Sequence, residues 1–188
     1  MKAGIKYLLY PFVFLAVCTG CDDGFFNTEP TDRISVDKFW KQEKDGVLAT
    51  NGCYPGLSVF KMFSFEGCSD NACTAQTWLD AYMVANGSFN SSWAWVKDTW
   101  ANSYSYIRRT NDVIMHVGEI PDVDDALKNR LKGEALVIRA YLYTLIPSLY
   151  GDVPFITEPI TLIDDSKQPR ESKSVIIESI LKLSLIHI

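Results

Sequence analysis

The sequence is poor in the residues that metal and nucleotide sites require. Among its 188 residues only two are histidine, His116 and His187, and neither lies in a cluster of acidic or thiol side chains. A zinc site needs four ligands at suitable spacing, so this pattern does not predict one. No phosphate-binding glycine loop and no nucleophile elbow occurs either. We therefore predict neither a metal nor a cofactor.

Basic residues are also scarce, with 18 lysines and arginines against 23 acidic residues. Removal of an N-terminal segment that carries Lys2 and Lys6 leaves 16 basic residues against 23 acidic ones, a net charge of −7. Binding to nucleic acid requires Lys and Arg to neutralise phosphates. An acidic chain without a basic cluster therefore argues against a nucleic-acid partner.

The apolar run near the N-terminus is too short to span a membrane. Residues 7–17 carry no charge and would form a helix of about 16 Å, half of the ~30 Å hydrocarbon core. The run follows two lysines and ends in small residues, which is typical of a secretory signal peptide. We predict a signal peptide over residues 1–20.

Two cysteines, Cys18 and Cys21, lie at the end of this run. A redox pair would follow a strand and open a helix, and a zinc pair would need two further ligands. In a bacterial lipoprotein the signal peptidase cuts before a lipidated cysteine that follows a small residue, as Cys21 follows Gly20. We predict that Cys21 carries the lipid anchor and that residues 21–35 form a linker; an ordinary secreted protein is the main alternative.

Three further cysteines, Cys53, Cys68 and Cys73, leave at least one free thiol. Cys68 and Cys73 could bridge a short loop, or they could serve as small buried apolar residues.

Two long segments predict helices that pack against each other. The first has apolar residues at steps of three or four and ends at Gly118 and Pro121. Its stripe is Trp93, Val96, Trp100, Tyr104, Ile107, Asn111, Ile114 and Val117. The second stripe is Leu127, Leu131, Ala135, Ile138, Leu142, Leu145 and Leu149. The short connection predicts an antiparallel αα-hairpin, with Gly151 after its end and a kink at Pro147.

The remaining segments give weaker patterns. We predict a short helix capped by Ser35 or Asp37, and a helix within residues 41–60. The apolar side of the latter is Val47, Leu48, Tyr54 and Leu57. A last helix near residues 170–183 would have its apolar side at Val175, Ile176, Ile180 and Leu183. Residues 61–92 lack a period, and long loops of this kind tend to be functional.

Four blocks of sequence resemble a known family. They are "CDDGFFNTEPTDRIS" with "FWKQEKDGVLATNGCYPGL", then "SDNA" before a Trp/Gly-rich loop, then "IRRTNDVI", then "LKGEALVIRAYLYTLIPSLYGDVPFI". In order and spacing they are similar to the N-terminal part of SusD/RagB-family nutrient-binding lipoproteins. The resemblance implies a mainly α fold of TPR-like helical hairpins with long loops, an incomplete SusD-like fold.

The resemblance also implies the boundaries of the domain. Residues 36–183 would form the N-terminal SusD-like helical domain, and residues 184–188 a tail outside the family pattern. Family members are much longer, so we expect the chain to hold only the first third or so of such a protein.

The resemblance implies a binding function and no catalysis. Such proteins are anchored in the outer membrane by lipid, face the cell exterior, and pass oligosaccharides to a SusC-like TonB-dependent transporter. Two alternatives remain: a helical-repeat lipoprotein whose ligand is another protein, and a peptide-binding member of the same family.

A glycan site needs flat rings for the CH faces of sugars and polar groups for their hydroxyls. Within residues 66–95 we predict ligand contacts from Trp78, Asp80, Tyr82 and Trp95, and we interpret Trp93 as core.

The block "GEALVIRA" contains Glu134 and Arg139. We interpret them as partners of an ion pair within the fold, with each other or with Arg108 or Arg109, rather than as acid–base groups. We predict that Gly133 permits the close approach of two helices.

Overall fold

The computed structural model describes residues 39–59, 65–160 and 167–185, and for 183–185 the backbone alone. The signal peptide, the lipidated Cys21, the linker, the caps Ser35 and Asp37, and residues 186–188 of the tail lie outside the described residues. From Trp40 onward the chain forms one compact unit, distinct from Met1–Phe39. All that follows concerns this second unit.

The unit is mainly α-helical, as predicted. Its helices are α1 Glu43–Asn51, α2 Asp80–Ala85, α3 Ala94–His116, α4 Asp125–Tyr150 and α5 Lys173–Leu185, with 3₁₀ turns at Tyr54–Ser58 and Val117–Glu119. Among the described residues one isolated antiparallel bridge, between Val153 and Glu171, is the β structure. None of the described helices combines the length and the apolar character needed to cross a membrane.

The predicted hairpin of α3 and α4 is confirmed and forms the centre of the unit. The stripe of α4 is buried from Leu131 to Leu142 and continues through Ile146, although Leu149 is exposed. The helix continues through Pro147 and ends at Gly151, whose φ of 71° suits a residue without a side chain. The hairpin therefore supplies most of the core.

The fully buried face of α3 differs from the predicted stripe. Thr99, Ser103 and Thr110 are buried beside Ile107, whereas Trp100 and Tyr104 of the predicted stripe are half-buried. The Ser103 hydroxyl donates to the Thr99 carbonyl at 2.6 Å, and the Thr110 hydroxyl donates to the Ile107 carbonyl at 2.7 Å. Small polar residues pack closely here because their hydroxyls bond back to the helix, and apolar periodicity does not detect them.

Small residues also form the buried side of α1, so the predicted stripe was wrong there. Leu48 is 58% exposed, while Gly46, Thr50 and Cys53 are buried. The helix begins at Glu43 because the Asp45 carboxylate accepts the backbone N–H of Gln42 at 2.9 Å. The rest of the predicted apolar side is exposed or half-buried: Val47, Tyr54 and Leu57.

The glycine that permits close helix packing is Gly46 rather than Gly133. A Cβ atom on Gly46 would lie 2.8 Å from the Ile120 Cδ1 atom and 3.2 Å from the Leu131 Cδ1 atom. A Cβ atom on Gly133 would meet nothing within 4 Å. The prediction for Gly133 was therefore wrong, and α1 packs on the hairpin through Gly46.

Helix α5 packs against α4, and Ile176 and Ile180 of its predicted apolar side are buried. Val175, predicted on the same side, is exposed, and the side chain of Leu183 is not among those described.

Cys53, Cys68 and Cys73 are all thiols, so the possible bridge between Cys68 and Cys73 is not formed. Cys53 is fully buried and donates to the Ala49 carbonyl at 3.4 Å. Burial raises the pKa of this thiol to about 11, so it is uncharged near neutral pH.

Candidate functional site

A segment of residues 153–160, here called the strap, lies along the hairpin and is held there by side-chain hydrogen bonds. The Tyr104 hydroxyl donates to the Pro154 carbonyl at 2.8 Å. The Tyr143 hydroxyl accepts the backbone N–H of Ile156 at 2.7 Å and lies 3.1 Å from the carbonyl oxygen of the same residue. Burial raises the pKa of Tyr143 to about 12, so the hydroxyl keeps its proton.

Asn111 and Arg139 complete this network further along the strap. Asn111 Nδ2 donates to the carbonyls of Ile156 and Glu158, at 3.1 and 3.3 Å. Arg139 Nη1 donates to Asn111 Oδ1 at 2.7 Å and to the Thr157 carbonyl at 2.8 Å. The guanidinium is therefore held by neutral oxygens, and it orients the Asn111 amide toward the strap.

Arg139 is only 7% exposed, and the predicted ion pair with Glu134 is not formed. Glu134 instead accepts from the Tyr54 hydroxyl at 3.0 Å and lies 3.7 Å from Arg130 Nε. Arg109 donates to the Gly52 carbonyl at 3.2 Å. The interpretation as an ion pair was wrong in its partners, since Glu134 pairs within its own helix and Arg139 binds carbonyls.

Burial lowers the pKa of Arg139, although a guanidinium keeps its charge in proteins at physiological pH. The described hydrogen bonds of this buried cation go to amide oxygens, so its role is to fix the backbone of the strap. Sequence analysis missed this role, but Asn111 in an otherwise apolar stripe was a signal of it.

The loop region, residues 65–93, is organised differently, by local turns. The Asn86 and Asn90 side-chain oxygens each accept a backbone N–H two residues on, from Ser88 and Ser92, both at 2.9 Å. Gly87 adopts φ of 74° within the first of these turns. Such turns order the backbone without burying much surface.

The loop region holds three of the predicted ligand residues, and Trp95 lies just beyond it. Trp78 is 76% exposed and lies just before α2. Asp80 is the first residue of α2, and Tyr82 follows two positions later; both are half-buried. Residues two apart on a helix point about 200° apart, so Asp80 and Tyr82 do not share a face.

Trp95 lies in the first turn of α3, and its ring centroid is 6.0 Å from that of Phe65. Within the described residues, no side-chain hydrogen bond, ion pair or ring contact joins Trp78, Asp80, Tyr82 and Trp95 to one another. Trp93, which the sequence predicted as core, is half-buried and lies at the N-cap position of α3. Phe65 was missed because it belongs to no periodic segment.

Other aromatic residues support the fold. The Trp100 ring lies 4.9 Å from Tyr104 and 5.0 Å, edge-on, from Tyr150. The Tyr150 hydroxyl donates to the Val96 carbonyl at 2.7 Å. These rings tie the end of α4 to the start of α3, so the aromatic residues divide into a structural set and an exposed one.

In the part of the chain that the structure describes, no group of three or more His, Cys, Asp or Glu side chains is placed to hold a metal ion.

This arrangement has the fold of a known class of helical binding proteins. A solved SusD-like protein from Bacteroides fragilis NCTC 9343 matches 82% of this chain and 31% of its own, with a TM-score of 0.68 and 26% identity. A SusD-like carbohydrate binding protein from the same organism matches 77% of this chain and 30% of its own, with a TM-score of 0.66 and 23% identity.

Sequence comparison gives the family. Residues 49–182 match the SusD-like family described as "Starch-binding associating with outer membrane", and the chain belongs to that family. Two SusD-like proteins of Formosa agariphila are 27% and 24% identical over alignments 175 and 188 positions long, which cover 90% and 93% of this chain. The chain spans about a third of their length, 34% and 35%. The resemblance drawn from the sequence is thereby confirmed.

Proposed function

We propose that the protein is a cell-surface lipoprotein that binds glycans and captures oligosaccharides for a SusC-like TonB-dependent transporter of the outer membrane. Family membership supports glycan binding, because the family is described as starch-binding and associated with the outer membrane. In this proposal the protein binds its ligand without transforming it.

The observation that carries the proposal is the exposure of Trp78. An indole that is 76% exposed, in a loop rich in serine, asparagine and glycine, presents a flat apolar face that a ligand can cover. Its flat face suits the CH face of a pyranose, and either Asp80 or Tyr82, which lie on different faces of the adjacent α2, would supply a polar group for the sugar hydroxyls. Trp95, with Phe65 beside it, would supply a second ring.

Calorimetry of the full chain in detergent with a panel of neutral oligosaccharides, maltoheptaose among them, tests this proposal. We expect Trp78→Ala to lower the affinity for the bound glycan about tenfold or more, as loss of an aromatic anchor does. The matched control is Leu48→Ala on α1, which removes a similarly exposed apolar side chain and should leave the affinity unchanged. No saccharide binding in the panel, or equal effects of the two variants, would count against the proposal.

The proposed anchor and partner have their own tests. Mass spectrometry of the mature protein should find a diacylglycerol thioether on Cys21, and the anchored protein should co-purify with a TonB-dependent transporter. A bare Cys21, or a protein free of the membrane, would overturn this part of the proposal.

A second candidate function is favoured by a different surface. Val137 on α4 is 64% exposed, and Tyr54 and Leu57 near it are also exposed. They lie near one another because Tyr54 bonds to Glu134 and the Leu57 carbonyl accepts from the Tyr141 hydroxyl at 3.4 Å. If the protein were instead an adaptor for another protein, Val137→Asp would abolish co-purification of that partner while Trp78→Ala would not.

A further inference from the structure

The chain contains two Asn-Gly dipeptides, at residues 51–52 and 86–87. In this dipeptide the asparagine side chain reacts most readily with the backbone, because glycine places no side chain in the way of the attacking nitrogen. Both asparagines are exposed, yet the structure around them differs. A difference in reactivity between the two would therefore come from the fold and not from the dipeptide.

The second dipeptide ends helix α2 on an open part of the surface. Asn86 follows the last helical residue, and Gly87 adopts φ of 74°, outside the helical region. A Cβ atom on Gly87 would meet nothing within 4 Å, and residues 85–90 are all exposed. A helix of six residues is marginal in water, so the backbone at its end can rotate into the geometry that ring closure needs.

The hydrogen bonds at this site favour attack on the Asn86 side chain. The Ser88 backbone N–H donates to Asn86 Oδ1 at 2.9 Å, so a donor already lies on the oxygen that gains negative charge when the carbonyl carbon is attacked. The attacking nitrogen belongs to Gly87, and its N–H donates to the Val84 carbonyl at 3.2 Å, at the long end of the range for such bonds. The electrophile is thus polarised, and the nucleophile is weakly held.

The first dipeptide, Asn51–Gly52, is held in helical geometry on both sides. The Gly52 N–H donates to the Leu48 carbonyl at 2.9 Å, and the Gly52 carbonyl accepts from Arg109 at 3.2 Å. The next residue, Cys53, is fully buried. Rotation of this backbone would break both hydrogen bonds and pull a buried side chain from the core, so the folded structure opposes ring closure here.

We propose that Asn86 is a site of spontaneous deamidation and that Asn51 is not. The Gly87 nitrogen gives its proton to hydroxide and attacks Asn86 Cγ; the bond from Cγ to Nδ2 then breaks, and Nδ2 takes a proton from water and leaves as ammonia. Water opens the resulting succinimide ring at one of its two carbonyls and gives aspartate or isoaspartate. Hydroxide is regenerated, so the net reaction consumes one water and releases one ammonia.

Deamidation would change the charge of the loop region. Residues 65–93 carry three acidic side chains, Glu66, Asp70 and Asp80, and no basic one. A carboxylate at position 86 adds a fourth negative charge at the C-terminal end of α2, where the helix dipole disfavours an anion. We expect α2 to fray from this end. The inference does not rest on the proposed glycan binding, because it concerns the covalent stability of the loop region.

The test is peptide mapping of the full chain, held in detergent in mildly alkaline buffer and sampled over several weeks. Digestion with pepsin in acid stops the reaction, and mass spectrometry detects the deamidated peptides by their increased mass. We expect the peptide that contains Asn86 to convert at least about tenfold faster than the peptide that contains Asn51, the rate difference that an intact hydrogen bond makes to a barrier. Labelling by an isoaspartate-specific methyltransferase should appear in the first peptide.

Denaturation provides the matched control, because both dipeptides then belong to an unfolded chain. In guanidinium chloride the two peptides should convert at similar rates. Asn86→Gln keeps the amide but would need a six-membered ring, so it should lose the fast conversion. The proposal is overturned if the two peptides convert at equal rates in the folded protein, if the peptide with Asn51 converts faster, or if Asn86 stays unconverted until the chain is unfolded.

A second measurement checks the effect on α2. Asn86→Asp places the carboxylate there from the start, and hydrogen exchange in residues 84–88 should be faster than in the parent protein. Unchanged exchange in this variant would overturn the expected fraying of α2.

Discussion

The strap and the loop region are both irregular segments, but they are held in opposite ways. The strap receives side-chain hydrogen bonds from α3 and α4, among them one from the buried Arg139. The loop region depends on turns within itself, such as those at Asn86 and Asn90, and presents Trp78 to solvent. The strap is therefore fixed to the hairpin by long-range hydrogen bonds, whereas the hydrogen bonds described in the loop region are mostly local.

This difference teaches how one chain separates stability from recognition. The Trp100 ring packs on the rings of Tyr104 and Tyr150, and all three residues pack against the core. The ring of Trp78 adds little buried surface and is available for a ligand. Aromatic content alone therefore does not locate a binding site; the exposure of each ring does.

The largest expected effect comes from removal of the Arg139 guanidinium, which donates hydrogen bonds to the strap and to Asn111. Arg139→Met leaves Asn111 Oδ1 and the Thr157 carbonyl without their shared donor. We expect the free energy of unfolding to fall by about 2–4 kcal/mol, because buried acceptors lose their partner. Chemical denaturation measures this free energy. Arg139→Lys can still donate to one acceptor, so its free energy of unfolding should lie between those of the parent protein and Arg139→Met.

Arg130→Met is the matched control, since Arg130 is exposed and its ion pair with Glu134 has an N–O distance of 3.7 Å. It should change the free energy of unfolding by less than about 1 kcal/mol. Equal losses for the two arginine variants would show that the strap is not fixed by the buried network.

The second expected effect is a difference in stability between substitutions of Gly46, which is closely packed, and of Gly133, which is not. Gly46→Leu would force side-chain atoms against Ile120 and Leu131, so we expect a loss of about 1–3 kcal/mol in the free energy of unfolding. Gly133→Leu makes the same change where no atom lies within 4 Å, and helix propensity should raise stability by up to about 1 kcal/mol. Thermal denaturation of the pair is the measurement, and the same sign for both variants would contradict the packing described here.

The third expected effect is a fall in the free energy of unfolding at high pH, caused by ionisation of the buried Cys53 thiol. The pKa of Cys53 is about 11 in the folded protein against an ordinary value of 9.0, so the unfolded chain loses this proton first. Stability from this thiol is complete below pH 9 and is lost as pH rises toward about 11. We expect a loss of about 1–2 kcal/mol over this window from Cys53.

Cys53→Ser provides the comparison for that pH dependence, because a serine hydroxyl does not ionise in this range. Urea denaturation at several pH values between 8 and 11 should show a shallower slope for the variant. Tyr143 has a pKa of about 12 in the folded state, so it causes a further loss of stability mainly above pH 10. This loss should be the same in the parent protein and in Cys53→Ser. Identical slopes would show that the Cys53 thiol is not protected by burial.

The sequence predicted those parts of the fold that depend on periodic burial. Apolar spacing predicted the hairpin of α3 and α4 and the burial of Ile176 and Ile180. The order of the sequence motifs gave the resemblance to the family. The sequence could not predict the buried faces of α1 and α3, because Gly46, Thr99 and Ser103 carry no hydrophobic signal and are buried for their small size.

The sequence also could not predict the hydrogen-bond partners of Arg139. Ion pairing is a sensible expectation for Glu134 and Arg139, five positions apart, but a helix places residues five apart on different faces. Arg139 faces the strap, whose carbonyls carry no side-chain signature in a sequence. The four predicted ligand residues stay predictions, since loop geometry depends on contacts that periodicity does not encode.

The smallest expected effect on stability comes from a substitution in the loop region, at Trp78. Trp78→Ala should change the free energy of unfolding by less than about 0.5 kcal/mol, because an exposed ring contributes little to packing. Trp100→Ala is the matched control and should cost about 3 kcal/mol or more, since its ring contacts Tyr104 and Tyr150. Thermal denaturation of the two variants measures both changes. A large loss with Trp78→Ala would make that indole a structural residue, and the proposed glycan contact would then have to be sought elsewhere in the loop region.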